Sequence, residues 1–295
     1  MSYNRQNFKQ VGNLFHGIHP NGVQEIKFNN PGKKNAIDME DLLKLADLFN
    51  DANNNDQVRV VLIHGGSYYS SGNDLSIFMK KLESHSVEEV IKMAQEGAQV
   101  IIVKMLTALL DLEKPLVLMV SGAAIGVACT MSAYADFIYC TPEAIFKTPF
   151  LQSFQSPEGG STFTFQQQLS RRVAAQMIFA DKSLTAKQAL KLGYITDIIE
   201  AKDIQIENGE YFDIDKIPCI PQILKNDLKT TVNAKRLLNE GLNKKHLMKT
   251  IEREGKSLAG IYADEEFLPK LFQYMSQNTS RKAKTQPQPL HDAKL

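Results

Sequence analysis

Residues 115–135 carry no charged side chain and run about as long as a bilayer span. A segment like that must be buried, in lipid or in a protein core, and its own composition decides between the two. It is rich in Gly, Ser, Thr and Ala, and Gly122 and Gly126 divide it into a short strand (PLVLMV), a turn and a small-residue helix. The expectation is a strand–turn–helix unit inside a folded domain and no membrane span.

The flanking sequence repeats that alternation. Residues 13–28 read as a hairpin around His19-Pro20-Asn21-Gly22. Asp38 is placed to cap a helix through MEDLLKLADLFNDA, with Met39, Leu42, Leu43, Leu45, Ala46 and Leu48 as its apolar face, and VRVVLIHG follows as a buried strand. The spacing of Val90, Ile91, Ala94, Ala98, Ile101, Ile102 and Met105 predicts a long helix over residues 87–112, stopped by Lys114-Pro115. Two short strands, DFIYC and AIFKT, precede a helical run over 159–180, and in LTAKQALKLG Thr185 and Gln188 stand at capping-box spacing with Gly193 to end the helix. Repetition of this kind implies parallel strands with helices packed outside, the α/β class.

After Glu200 the pattern changes. Residues 201–221 read as an acidic, irregular connection, 224–278 as helices, and SRKAKTQPQPLHDAKL as a polar tail. The chain therefore divides into a core over 1–200, a helical region over 201–279 and a tail over 280–295. With 295 residues, 43% of them hydrophobic, it can fill a substantial core. Its 34 Lys and Arg nearly balance 33 Asp and Glu, so no overall field draws it to nucleic acid or an acidic membrane surface. Cys129, Cys140 and Cys219 are odd in number and have no metal-ligand spacing, which argues for a reducing compartment and against disulfides or a metal site. The opening MSYNRQNFKQ lacks the apolar stretch of a secretory leader.

Three segments have the composition of a reactive site. In YYSSGNDL, Gly72 permits a sharp turn that leaves the Asn73 N–H facing a cleft, although an ordinary strand-to-helix loop has the same look. In GAAIGVA, Gly126 beside a helix start exposes unpaired donors, including the Val127 N–H; tight packing alone would also account for the glycines. Two such donors converging on one oxygen would form an oxyanion hole. In SPEGGST, Pro157 and the glycine pair fix a backbone that aims Glu158, whereas a lone Glu here could instead complement a helix dipole.

Taken in order, NNPGKKNAID, YYSSGNDL, KPLVLMVSGAAIGVA, FKTPFLQSFQSPEGGST and LTAKQALKLGYI resemble the crotonase superfamily over residues 15–284. YSSGNDL and SPEGGST resemble in particular its peroxisomal Δ3,Δ2-enoyl-CoA isomerase branch. The resemblance implies a ββα spiral followed by a helical C-terminal region that builds a homotrimer or a dimer of trimers. It implies an acyl-CoA substrate and no cofactor, coenzyme A being part of the substrate. It further implies that the Asn73 and Val127 N–H groups hold the thioester oxygen and that Glu158 is the catalytic base, moving a proton from C2 to C4 of a 3-enoyl chain. Ser71, Gly72, Asp74, Leu75, Gly126 and Phe150 fall on the implied substrate loops, and Lys33 and Lys34 are candidates for the CoA phosphates.

Hydratases of the superfamily carry acids at the positions matching Thr130 and Phe150, and dienoyl-CoA isomerases carry one at the latter. This chain has neither, so a 3-enoyl-CoA isomerase is expected ahead of those activities and of a non-catalytic acyl-CoA-binding module. Ala293-Lys294-Leu295 resembles the Ser-Lys-Leu address, implying an import receptor as partner and the peroxisomal matrix as location. Elsewhere His64 is expected to be a core or edge histidine, Asp74 a turn cap and Asp136 the anchor of a strand start. Phe267, Phe272 and Tyr274 are expected in the helical core or along an acyl pocket. Phe150, Leu151 and Phe154 would raise the Glu158 pKa and a helix N-terminus would lower it; the sequence leaves that contest open.

Overall fold

A computed structural model describes residues 5–281, so Ala293-Lys294-Leu295 lies outside the described residues. Strands β1 (Lys9–Val11), β2 (Leu14–Ile18) and β3 (Val23–Phe28) form an antiparallel meander. The Pro-Asn-Gly turn closes as its composition demands: the Gly22 N–H donates to the His19 carbonyl at 2.8 Å, with Gly22 at φ 93°. Strands β4 (Val60–His64) and β5 (Leu116–Val120) add in parallel, and both are buried along their whole length because structure covers both faces.

Residues 123–125, expected within a turn, instead form strand β6 (Ala123–Ile125), which steps out of this sheet. Strand β7 (Phe137–Cys140) returns to it, β8 (Ile145–Lys147) and β9 (Leu184–Thr185) join β6, and β10 (Asp197–Ile198) completes the first sheet. The orders are β1-β2-β3-β4-β5-β7-β10 and β6-β8-β9.

Helix α1 (Met39–Asn54) starts on Asp38, whose side chain accepts the Asp41 N–H at 2.9 Å. The Asp41 carboxylate returns the bond to the Asp38 N–H and also holds the Asn13 side chain, tying the helix to the start of β2. Helices α2 (Ser76–Leu82), α3 (Val87–Glu96) and α4 (Ile102–Leu110) follow, the last two joined by a π turn at Gly97–Ile101. Among the described residues, Val87–Leu110 is the one helix long and apolar enough to cross a membrane, but Ile102, Met105, Leu106 and Leu109 are buried in the protein core.

Helix α5 (Val127–Ser132) follows β6. The run over 159–180 is two helices, α6 (Ser161–Gln168) and α7 (Arg171–Phe179), because the chain reverses at Ser170, at φ 131°, and the Ser170 hydroxyl accepts the Val173 N–H to cap a new helix. Helix α8 (Ala186–Lys191) has the expected capping box between Thr185 and Gln188.

Residues 201–221 are more ordered than their composition implied. They contain α9 (Ala201–Ile204), a hairpin of β11 (Gln205–Ile206) and β12 (Tyr211–Phe212), and the start of α10 (Cys219–Ile223). Their buried Ile204, Phe212, Ile214, Ile217 and Ile220 cover the sheet face formed by Val60, Leu62, Val117 and Met119. Helices α11 (Leu228–Glu240), α12 (Lys244–Tyr262) and α13 (Phe267–Arg281) end the described chain. A close crossing sets α12 against the π turn: a Cβ on Gly255 would lie 2.7 Å from the Ala98 carbonyl oxygen.

His64 is a core histidine. Its Nδ1 accepts the Gly66 N–H, so Nε2 carries the proton and faces Glu25 at 2.8 Å. Burial would raise the Glu25 carboxyl, but His19, His64 and Arg5 outweigh it and hold Glu25 far below the usual carboxylate range. Asp136 anchors the start of β5 by accepting the Leu116 N–H at 2.7 Å, and Lys235 pairs with it at 2.6 Å.

Candidate functional site

The loops after β4 and β5 lie side by side because their backbones pair. The Ser70 N–H donates to the Ala123 carbonyl at 3.0 Å, and the Ile125 N–H donates to the Ser70 carbonyl at 3.1 Å. Gly72, at φ 78°, then passes so close that a Cβ there would sit 2.4 Å from the Ile125 oxygen. The Gly72 N–H is taken by the Ser70 hydroxyl, the Gly72 carbonyl by the Ile37 N–H, and the Asp74 N–H by the Ile37 carbonyl. Among the described residues the Asn73 N–H between them has no acceptor, and neither does the Val127 N–H, which opens α5 ahead of the first bonds back to Gly126.

Both residues line a cavity of about 90 Å³ together with Ser71, Leu75, Gly126, Phe150 and Glu158, and Tyr274 of α13 closes one side. Glu158 is 3% exposed. Its Oε1 accepts the Thr130 hydroxyl at 3.2 Å, while its buried Oε2 has no partner. Burial pushes its pKa up to about 8; the negative charge of Glu254 adds to the rise and the Thr130 hydroxyl opposes it. The contest left open by the sequence is thus won by desolvation. Of the three apolar residues expected to enforce it only Phe150 is on the cavity wall, since Leu151 and Phe154 are exposed.

The helix that Glu158 precedes is not capped by it. Glu254 of α12 takes that place, accepting the Gly160 N–H at 2.6 Å and the Thr162 N–H at 2.9 Å. The sequence carries no local signal for Glu254, because its partners lie 94 and 92 residues away.

Of the expected binding residues, Gly72, Asp74, Lys33 and Lys34 do not line the cavity. Lys33 pairs with Asp74 at 2.6 Å and with the Ser76 hydroxyl at 3.0 Å. Asp74 also accepts the Ser76 N–H, so it caps the turn into α2. Lys34 borders a different hollow, of about 210 Å³, with Lys27, Asn29, Ser67 and Tyr68, and its ammonium lies 5.3 Å from the Tyr68 ring centre.

Residues 19–273 match the family model for enoyl-CoA hydratase/isomerase. Enoyl-CoA delta isomerase 2 of Homo sapiens is 32% identical over 244 residues, covering 83% of this chain and 56% of that protein. Enoyl-CoA delta isomerase 3, peroxisomal, of Mus musculus is 33% identical over 186 residues, 63% of this chain and 57% of that protein. The chain thus spans about half the length of these curated relatives. The crystal structure of an enoyl-CoA hydratase/isomerase from Pseudoalteromonas atlantica T6c superposes with a TM-score of 0.75 at 27% identity, covering 90% of this chain and 97% of that one. The sheets, the site loops and these matches together place the chain, with its crotonase fold, in the enoyl-CoA hydratase/isomerase family.

Proposed function

We propose that the chain converts 3-enoyl-CoA to 2-enoyl-CoA, with Glu158 carrying one proton from C2 to C4. The observation that supports this reading best is a single buried carboxyl with one unpartnered oxygen, in a cavity that presents two unpaired backbone donors and, among its described lining residues, no second carboxylate. Removing the C2 proton of a 3-enoyl thioester makes a dienolate whose charge collects on the thioester oxygen. The Asn73 and Val127 N–H groups would hold that oxygen, each donor contributing on the order of 3 kcal/mol to the transition state. Glu158 would take the proton on Oε2 while Thr130 fixes Oε1, and burial favours the neutral acid that results. The same oxygen then returns the proton at C4. Of the two lysines, Lys34 is the better placed for the CoA phosphates, because Lys33 is held by Asp74.

Hydration would require water activated on the β-carbon, which acids at two further positions perform in hydratases. Here those positions hold Thr130, whose hydroxyl donates to Glu158, and Phe150, an apolar wall. Peroxisomal location and trimeric assembly belong to the same proposal; Ala293-Lys294-Leu295 and the name of the mouse relative support the location.

The test is turnover of 3-hexenoyl-CoA beside crotonyl-CoA. Isomerisation should exceed hydration by at least ~10²-fold, the lower end of what one acid–base group contributes. Comparable rates would overturn the assignment in favour of a dual-function enzyme or a hydratase.

A further inference from the structure

We propose that Glu254, on α12, is a positioning residue for the reaction: it caps α6 so that the Glu158 carboxylate stays facing the cavity, and it sets a second carboxylate against the Glu158 loop. This role presupposes Glu158 as the proton carrier. Helix α6 begins with Gly160 as its N-cap, a residue with no side chain to satisfy the first amides. Unpaired amides at a helix start attract the nearest carboxylate, and along the chain that is Glu158.

Glu254 forestalls that contact from a helix distant in sequence. Its Oε2 accepts the Gly160 N–H at 2.6 Å, and its Oε1 accepts the Thr162 N–H at 2.9 Å and the Thr162 hydroxyl at 2.5 Å. Burial raises the Glu254 carboxyl, and every one of these bonds runs toward the carboxylate and opposes that rise. The Glu158 side chain keeps only the Thr130 hydroxyl, so the carboxyl with fewer donors is the one that retains its proton to higher pH. The reactive loop is pinned to α12 on both sides of this contact. The Ser156 and Ser257 hydroxyls bond at 3.0 Å, and a Cβ on Gly160 would meet Leu247 at 2.9 Å. From the α5 side the Tyr134 hydroxyl holds the Gly159 carbonyl at 2.7 Å.

Among the described residues, the other titratable groups near this pair are Cys129 of α5, Tyr134 just after it, Tyr262 of α12 and Tyr274 of α13. Burial raises Cys129, Tyr134 and Tyr262, which keeps them neutral at physiological pH. Arg253 adds to the bonds from Thr162 and Gly160 in opposing the rise that burial causes in Glu254. Glu254 is therefore the charge that acts on Glu158.

The acid limb of kcat/KM against pH reports ionisation in the free enzyme. Glu254→Gln should move that limb down by about one pH unit, the effect of losing one near like charge. Thr162→Ala removes one donor to Glu254 while leaving both carboxylates in the chain, and should move it the same way by a smaller step, which keeps the test available if Glu254→Gln does not fold. Ser257→Ala loosens the loop alone and should leave the limb in place. A limb unmoved by both Glu254→Gln and Thr162→Ala would reduce Glu254 to a structural cap. The same coupling is readable without turnover. The thermal stabilisation produced by Glu158→Gln should reach its plateau about one pH unit lower when combined with Glu254→Gln. A chain that shows this shift yet lacks isomerase activity would refute the proposed function and keep the coupling.

Discussion

Glu158, the proposed proton carrier, holds its proton tightly at the expense of stability. Its folded pKa is raised to about 8 from 4.5, so between those values the unfolded chain has released a proton that the folded chain keeps. Stability therefore falls as pH rises through that window. Glu158→Gln should raise stability at pH 7 by on the order of 2–3 kcal/mol, with the gain vanishing below about pH 4.5, as calorimetry across pH would show. The same substitution should lower isomerase turnover by roughly 10³-fold, and kcat/KM of the unmodified enzyme should climb with pH to a plateau above about 8. Near-normal turnover would remove Glu158 from its role. The residues of this cavity were legible because their signals are local: a glycine at a turn, a glycine before a helix, a Glu between Pro and a glycine pair. Glu254 was not legible, and neither was the pairing of Lys33 with Asp74, 41 residues away, since both depend on chain crossings that no short motif records.

Elements were readable where their ends are settled by neighbours in sequence. The caps of α1 and α8 each close within four residues, so spacing alone identified them. The break at Ser170 and the order within residues 201–221 were missed for different reasons. Ser170 carries no Gly or Pro to mark the reversal, and the second segment buries single isoleucines and a phenylalanine between polar turns, without helical or strand period. The two site loops supply a prediction at this scale. Gly72→Ala adds a Cβ 2.4 Å from the Ile125 oxygen at a φ of 78°, so the loops must separate. The strain should lower stability by about 1–3 kcal/mol, measured by thermal unfolding. Displacing the Asn73 amide should cut kcat by on the order of 10²-fold, measured on the soluble folded fraction. Wild-type turnover in that variant would show that the loop spacing is not critical.

For the whole molecule, the proposed address and the proposed chemistry are separable. Removing Ala293-Lys294-Leu295 should leave kcat unchanged and release a fluorescent fusion from peroxisomes into the cytosol; a fusion that remained peroxisomal in cells lacking the full-length chain would refute the address. The fold also joins two regions of unequal solvent exposure. Strands β4 and β5 are buried throughout, whereas α11, α12 and the described part of α13 expose much of their length, and α12 holds the Glu158 loop through Glu254, Ser257, Leu247 and Ile251. Segments with fewer buried contacts open at lower free energy than the core. In rising urea, activity should therefore disappear before the amides of β4 and β5 begin to exchange with deuterium, and coincident transitions would contradict this. If the proposed activity holds, turnover would report on the attachment of the last helices, and a chain with its central sheet intact would already be silent.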